Sequence, residues 1–188
     1  MARQRRGSEE SATRTVLLDA TERLMLEGGY AAVSSRRVAE AAGVKPPLVH
    51  YYFATMDDLF LALFQRVADE GLARYAALFD APDPVRALWE ASGDPEQEAL
   101  NFEFTALANH RPKVKAEIVR YAELFRARQA QALERVLPPE LVSPLAAAVF
   151  MTCVSRTLLS EQALGVTLGH PEALALVEQM LGQLDRSR

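Results

Sequence analysis

From Ser34 to Phe53 the chain reads Ser-Ser-Arg-Arg-Val-Ala-Glu-Ala-Ala-Gly-Val-Lys-Pro-Pro-Leu-Val-His-Tyr-Tyr-Phe. Cations and hydrogen-bonding rings crowd this stretch: Arg36, Arg37, Lys45, His50, Tyr51 and Tyr52. Such groups donate to phosphate oxygens, and flat rings lie against base edges and thymine methyls. Lys45 reads as a phosphate contact on a short helix whose first turn is set by Pro46 and Pro47. His50 and Tyr51 read as outward contacts, the alternative being packing on the preceding helix. Tyr52 is divided between a phosphate contact and packing, and Phe53 reads as core. Arg36 and Arg37 either reach phosphates or are ordinary surface arginines. Arg3, Arg5 and Arg6 form a basic arm, which either enters a minor groove or trails as a mobile tail.

Other chemistry finds little support. Asp57-Asp58 resembles a metal pair, but adjacent side chains on a helix diverge by about 100°, and Thr55-x-x-Asp58 is a capping-box pattern. His50, His110 and His170 are widely separated. The single cysteine, Cys153, cannot form an internal disulfide and reads as a small buried residue. There is no nucleophile–base set, no glycine-rich phosphate loop and no H-E-x-x-H pattern. The expectation is a protein with no catalytic residues, no cofactor and no metal.

The 188 residues are 49% hydrophobic and 24% charged, ordinary for a globular chain long enough to bury a core. The net charge of −4 argues against a nucleic-acid binder, but it is unevenly placed. Residues 1–53 hold eight Lys/Arg against six Asp/Glu, and the rest holds thirteen against nineteen. A mildly basic head on an acidic body suits local phosphate contact. The longest apolar run, Leu145 to Val154, is shorter than the roughly 20 residues that span a bilayer. No secretory signal pattern is present, so the expected location is cytoplasmic and away from membranes.

Helical spacing dominates, and no hairpin signal joins alternating runs. A first helix is expected from Ser11 to Glu27, with Val16, Ala20 and Leu24 on one face and Gly28-Gly29 as its stop. A short helix follows from Ser34-Ser35 to Gly43, then one from Pro47 to Tyr52. Val38, Ala39, Ala42, Val44 and Leu48 are expected to pack inward, with Gly43 supplying a positive φ at the turn. A long helix opens at Thr55 and ends near Phe79, before the breaker Asp80-Ala-Pro-Asp-Pro84. Prolines punctuate the remainder into helices of about 84–92, 95–109, 112–137, 143–165 and 171–185.

The stretch with "RRVAEAAGV", "LVHYYF" and "DDLF" closely resembles the helix-turn-helix of the TetR/AcrR family of transcriptional regulators. The preceding helix with its Gly28-Gly29-Tyr30 ending matches too, so the resemblance covers residues 13–64. It implies an all-α fold in which a DNA-binding head, residues 1–55, joins a helical ligand-binding and dimerisation domain, residues 56–188, through helix 55–79. It also implies a homodimer on a palindromic double-stranded operator, released by a small hydrophobic effector. The last two helices would form the dimer bundle, with Leu174, Val177, Leu181 and Leu184 as its apolar stripe and Ala146 to Ala148 permitting close approach. One departure stands out: the family usually has a phosphate-touching lysine where this chain has Met56. Helix N-terminal N–H groups would have to replace it.

For the second domain, Trp89, Phe102, Tyr121 and Phe125 are candidate pocket walls, the alternative being plain core. Phe104 and Phe150 belong to the same set. Arg156 interrupts an apolar stretch, so it needs a partner: Glu103, Glu161 or an anionic ligand, unless it forms an exposed or interface salt bridge. Two other readings of the whole chain stay open at this point, an all-α enzyme and a helical interaction module that does not bind DNA.

Overall fold

The computed structural model describes residues 2–138 and 142–186, with side chains described from residue 11 to residue 184. The described residues form α-helices and one 3-10 turn, with no strand. In order they are α1 (Ala2–Gly28), the 3-10 turn Tyr30–Ala32, α2 (Ser35–Ala41), α3 (Pro46–Tyr52), α4 (Met56–Phe79), α5 (Pro84–Ala91), α6 (Pro95–Ala108), α7 (Pro112–Glu134), α8 (Pro144–Ala163) and α9 (His170–Arg186).

The starts are set by local chemistry. Ser34, Asp83 and Ser143 each accept a hydrogen bond from the backbone N–H three residues on, capping α2, α5 and α8. At α4, the Thr55 hydroxyl accepts from Asp58 N–H at 3.2 Å and the Asp58 carboxylate accepts from Thr55 N–H at 3.0 Å. This is the reciprocal box expected from the residue pattern. One start is corrected. α1 begins at Ala2, well before Ser11, so the segment read as a trailing arm is helical. It contains no proline, and Gly7 alone disfavours helix there. The side chains of Arg3, Arg5 and Arg6 lie outside the described residues.

Packing divides the chain into two units. The first comprises Met1–Asp69 with Ala99–Val119, the second Glu70–Glu98 with Arg120–Arg188. The division expected after residue 55 differs, because the first part of α4 and much of α6 pack with the short helices. Leu17, Leu18, Leu24 and Met25 of α1, Val38 and Ala39 of α2, Val49 of α3 and Leu59, Phe60 and Leu63 of α4 form the core of the first unit. Leu100, Phe104 and Leu107 of α6 and Val114 of α7 complete it. Of the expected α1 stripe, Ala20 and Leu24 are buried in this core, whereas Val16 is 44% exposed and its neighbour Leu17 is buried in its place.

The second unit is built around Val85 and Leu88 of α5, Leu133 and Leu137, Ala148 of α8 and Leu181 of α9. Tyr75 packs beside this core and donates its hydroxyl to the Ala91 carbonyl at 2.9 Å. Burial pushes its phenol pKa above the ordinary value.

The expected outward stripe on the last helix is corrected here. Leu181 is 6% exposed, and Val177 and Leu184 pack with it on the core of their own unit. Of the four residues assigned to a dimer face, Leu174 alone is exposed, at 45%. A single amphipathic stripe identifies a helix's apolar face but not which neighbour covers it. Cys153, expected to be buried, is exposed on α8.

These placements predict different stabilities for nearby residues. Leu181→Ala should lower unfolding free energy by about 2–5 kcal/mol. Gln179→Ala, at an exposed position on the same helix, should change it by less than about 0.5 kcal/mol. Urea unfolding followed by circular dichroism checks the contrast, and equal effects would refute the inward assignment of Leu181.

Candidate nucleic-acid interface

Helix α3 has seven residues, too few to be stable alone in water. Three features hold it. Gly43, at φ 68°, makes the reversal between α2 and α3, and no side chain occupies the space beside it. The Val44 N–H donates to the Ala39 carbonyl at 2.9 Å, closing the turn. Val49 is 1% exposed and Phe53 4%, and both enter the core made by α1 and α4. Pro46 and Pro47 fill the first turn, where their missing N–H groups cost nothing.

Anchoring Val49 and Phe53 fixes what faces outward. Lys45, Pro46, Pro47, His50 and Tyr51 are exposed, Tyr51 at 69%. Tyr52 is half-buried against the core, and its ring meets that of Tyr51 edge-on at 5.1 Å. This pairing restricts Tyr51 while leaving its outer edge in solvent. Leu48, expected to be a main inward residue, is only half-buried. Val49, which was missed, is the anchor. The two are adjacent and both apolar, so periodicity over one short helix does not separate them.

The arginines of α2 differ. Arg36 is exposed, and among the described residues nothing pairs with it or with Lys45. Arg37 donates to the Ala32 carbonyl at 3.0 Å, closing the chain that leads into α2. Arg23 of α1 likewise donates to the Ala41 carbonyl at 3.0 Å, at the end of α2. Arg14 places its guanidinium 5.3 Å from the centre of the Phe53 ring. Much of the basic character of this unit therefore holds helix ends and rings in place.

At the start of α4, Met56 packs partly buried against the core. Asp57 pairs with Arg111 at 2.5 Å and Asp58 closes the capping box, so the two acids have separate structural roles. Among the described residues no cluster of three His, Cys, Asp or Glu could hold a metal ion.

Residue pattern gave no signal for the contact between α6 and the end of α1. The Tyr30 N–H donates to Glu103 Oε2 at 2.6 Å. Gly29 beside it has φ 73°, and a Cβ there would lie 3.2 Å from the same carboxylate. A side chain at Gly29 would be both strained and crowded.

The residues proposed for a ligand site in the second unit scatter. Arg156 pairs with Glu98 of α6 at 2.7 Å, Glu98 being buried, rather than with Glu103 or Glu161. Glu103 bonds to Tyr30, and Glu161 meets His170 at 2.8 Å. Phe102, 41% exposed on α6, belongs to the first unit, which corrects its assignment to a pocket of the second domain. Phe104, also a candidate wall, is core of the first unit, and Phe150 is 51% exposed. Trp89 packs on the core of the second unit. Tyr121 lies under the Arg120 guanidinium at 4.2 Å. Phe125 meets Tyr75 and Phe79 edge-on at 5.0 and 5.8 Å. Among the described residues no helix is long and apolar enough to cross a membrane.

Residues 17–63 match the family profile described as "Bacterial regulatory proteins, tetR family". Over 140 residues the chain is 29% identical to the HTH-type transcriptional regulator BetI of Rhizobium meliloti (strain 1021), covering 70% of this chain and 69% of that one. It is 27% identical over 108 residues to the HTH-type transcriptional repressor KstR2 of Rhodococcus jostii (strain RHA1), covering 57% and 53%. The fold is similar to that of a transcriptional regulator from Rhodococcus sp. Rha1, with TM-score 0.74, 22% identity and coverage of 90% and 96%.

The anchoring predicts a separation of stability from contact. Val49→Ala should destabilise the protein by about 2 kcal/mol through lost burial and a residual cavity. His50→Ala should leave the thermal midpoint nearly unchanged. Calorimetry on both variants checks this, and a larger loss for His50→Ala would reverse the assigned orientation of α3.

Proposed function

The chain belongs to the TetR family of bacterial regulatory proteins, and from that premise we propose that it is a ligand-responsive repressor acting as a homodimer on a palindromic operator. The observation that carries this reading is α3, with Val49 and Phe53 in the core and Lys45, His50 and Tyr51 exposed. Lys45 contacts phosphate, which adds affinity without sequence information. His50 and Tyr51 reach base edges or methyls in the major groove, and Pro46 and Pro47 fix the angle at which the helix enters. Arg36 is a second phosphate contact. Arg37 and Tyr52 serve mainly to hold the head together. That one relative is named a repressor supports the direction of regulation. The protein acts in the cytoplasm, where its operator lies.

One seven-residue helix reads too little sequence for a specific site. Two heads at fixed spacing supply the rest by avidity. The dimer uses the outward face of α8, where Ala146, Phe150, Cys153 and Thr157 form a stripe of exposed uncharged residues, and Leu164 just past the helix is exposed as well. Phe150 is 51% and Leu164 81% exposed. Leu176 and Met180, 55% and 43% exposed, extend that apolar surface onto α9. An effector held in the second domain prefers one spacing of the heads. By linkage it weakens operator binding only as far as that preference goes.

Two tests address the reading. In gel shifts on the gene's own upstream region, Lys45→Ala should weaken binding to all sequences and reduce the salt slope by about one. Tyr51→Ala should weaken specific binding more than non-specific binding. Parent-like operator binding by both variants would refute the interface. In sedimentation, Phe150→Asp with Met180→Asp should leave monomers, because like charges brought together across a two-fold interface lose solvation without a partner. An intact dimer in that double variant would remove the proposed face.

A further inference from the structure

We infer that the groove between the C-terminal parts of α4 and α7 binds an amphipathic anion, a hydrocarbon chain ending in a carboxylate. The inference rests on the effector reading above and adds the place and chemistry of the ligand.

Leu72, Ala76 and Phe79 recur at four- and three-residue steps on α4 and so line one face of that helix. Leu124 faces them from α7, and the groove holds about 450 Å³. That lies within the roughly 300–1,000 Å³ of small-molecule sites, which combine apolar walls with few polar groups. The Phe79 ring is held by its edge contact with Phe125 at 5.8 Å, so this wall is preformed. The groove lies at the surface, with Ala76, Asp80, Leu124 and Arg128 exposed along it, which suits a chain lying in it with its head at the rim.

The polar groups on the rim specify the head. Arg128, Arg135 and Asp80 line the groove, leaving an excess positive charge. Arg135 is already engaged: it donates to the Phe79 carbonyl at the end of α4 and lies 3.5 Å from Asp80. Arg128 is exposed, and among the described residues nothing pairs with it. A guanidinium offers two parallel N–H donors, which a carboxylate accepts in register and an alcohol cannot. An ammonium head would meet the two arginines with the same sign of charge.

Calorimetric titration of the full-length protein with decanoate, decanol and decylammonium tests this. Decanoate should bind most tightly. Arg128→Gln should weaken decanoate about tenfold, as expected for loss of a charge-assisted contact, and decanol less than about twofold. Ala76→Trp should block both by filling the groove. Arg128 is on the surface, so Arg128→Gln keeps the fold and decides the matter even if Ala76→Trp does not fold. Equal binding of decanoate and decanol, or decanoate binding unchanged in Arg128→Gln, overturns the site. Gel shifts run in parallel keep the two readings apart. Arg128-dependent decanoate binding with no change in operator affinity supports the groove and counts against its effector role. Operator release by decanoate that persists in Arg128→Gln and Ala76→Trp overturns the groove and leaves the effector reading standing.

Discussion

A helix of seven residues has no stability of its own, so the outward face of α3 exists only while Val49 and Phe53 stay buried. The first unit is arranged around that requirement. α1 contributes Leu17, Leu18, Leu24 and Met25 to the surface that receives them, and α4 contributes Leu59, Phe60 and Leu63. Gly43 allows α2 to turn back on α3 tightly enough for Ala39 and Val49 to share this core. Loss of the anchor would leave Lys45, His50 and Tyr51 on a mobile segment, where the entropy of ordering them would fall on each binding event.

The same economy governs charge. Several arginines of the first unit are tied down rather than left free. Arg66 of α4 bridges Asp19 and Glu22 of α1, Arg23 meets the end of α2, and Arg37 closes the entry to it. These contacts fix helix positions and partly neutralise the head. What remains outward is a small set, Lys45 and Arg36 foremost, so binding depends on geometry as much as on net charge. That accords with a chain whose overall charge is −4.

In the second unit, polar groups settle into local partnerships. Arg156 and Glu98 satisfy one another across α6 and α8, and a buried carboxylate left alone there would be costly. Tyr75, Phe79 and Phe125 form a ring cluster, Phe125 edge-on to each of the other two, that stiffens neighbouring turns of α4 and α7. The outward face of α8 carries Ala146, Phe150, Cys153 and Thr157 exposed, with Glu161 following one turn on in contact with His170.

Much of this was legible in the residues alone. Proline, glycine and capping positions located nearly every helix end, because those signals act within a few residues of themselves. The Thr55–Asp58 box and the turn at Gly43 are of this kind, and so is the short helix bearing Lys45, His50 and Tyr51. Decisions between neighbours were not legible. Whether Leu48 or Val49 anchors α3, or whether Val177, Leu181 and Leu184 face their own core, depends on which helix lies opposite. The pairing of Arg156 with Glu98, rather than Glu103 or Glu161, was fixed by how α6 and α8 meet, and Glu103 was drawn instead to the Tyr30 N–H. The start of α1 at Ala2 escaped notice because polar residues without a breaker read equally as tail or helix. Local chemistry sets where each helix begins and ends. Which of its faces is covered, and by what, is set by contacts between residues far apart in the chain, which only the folded structure brings together.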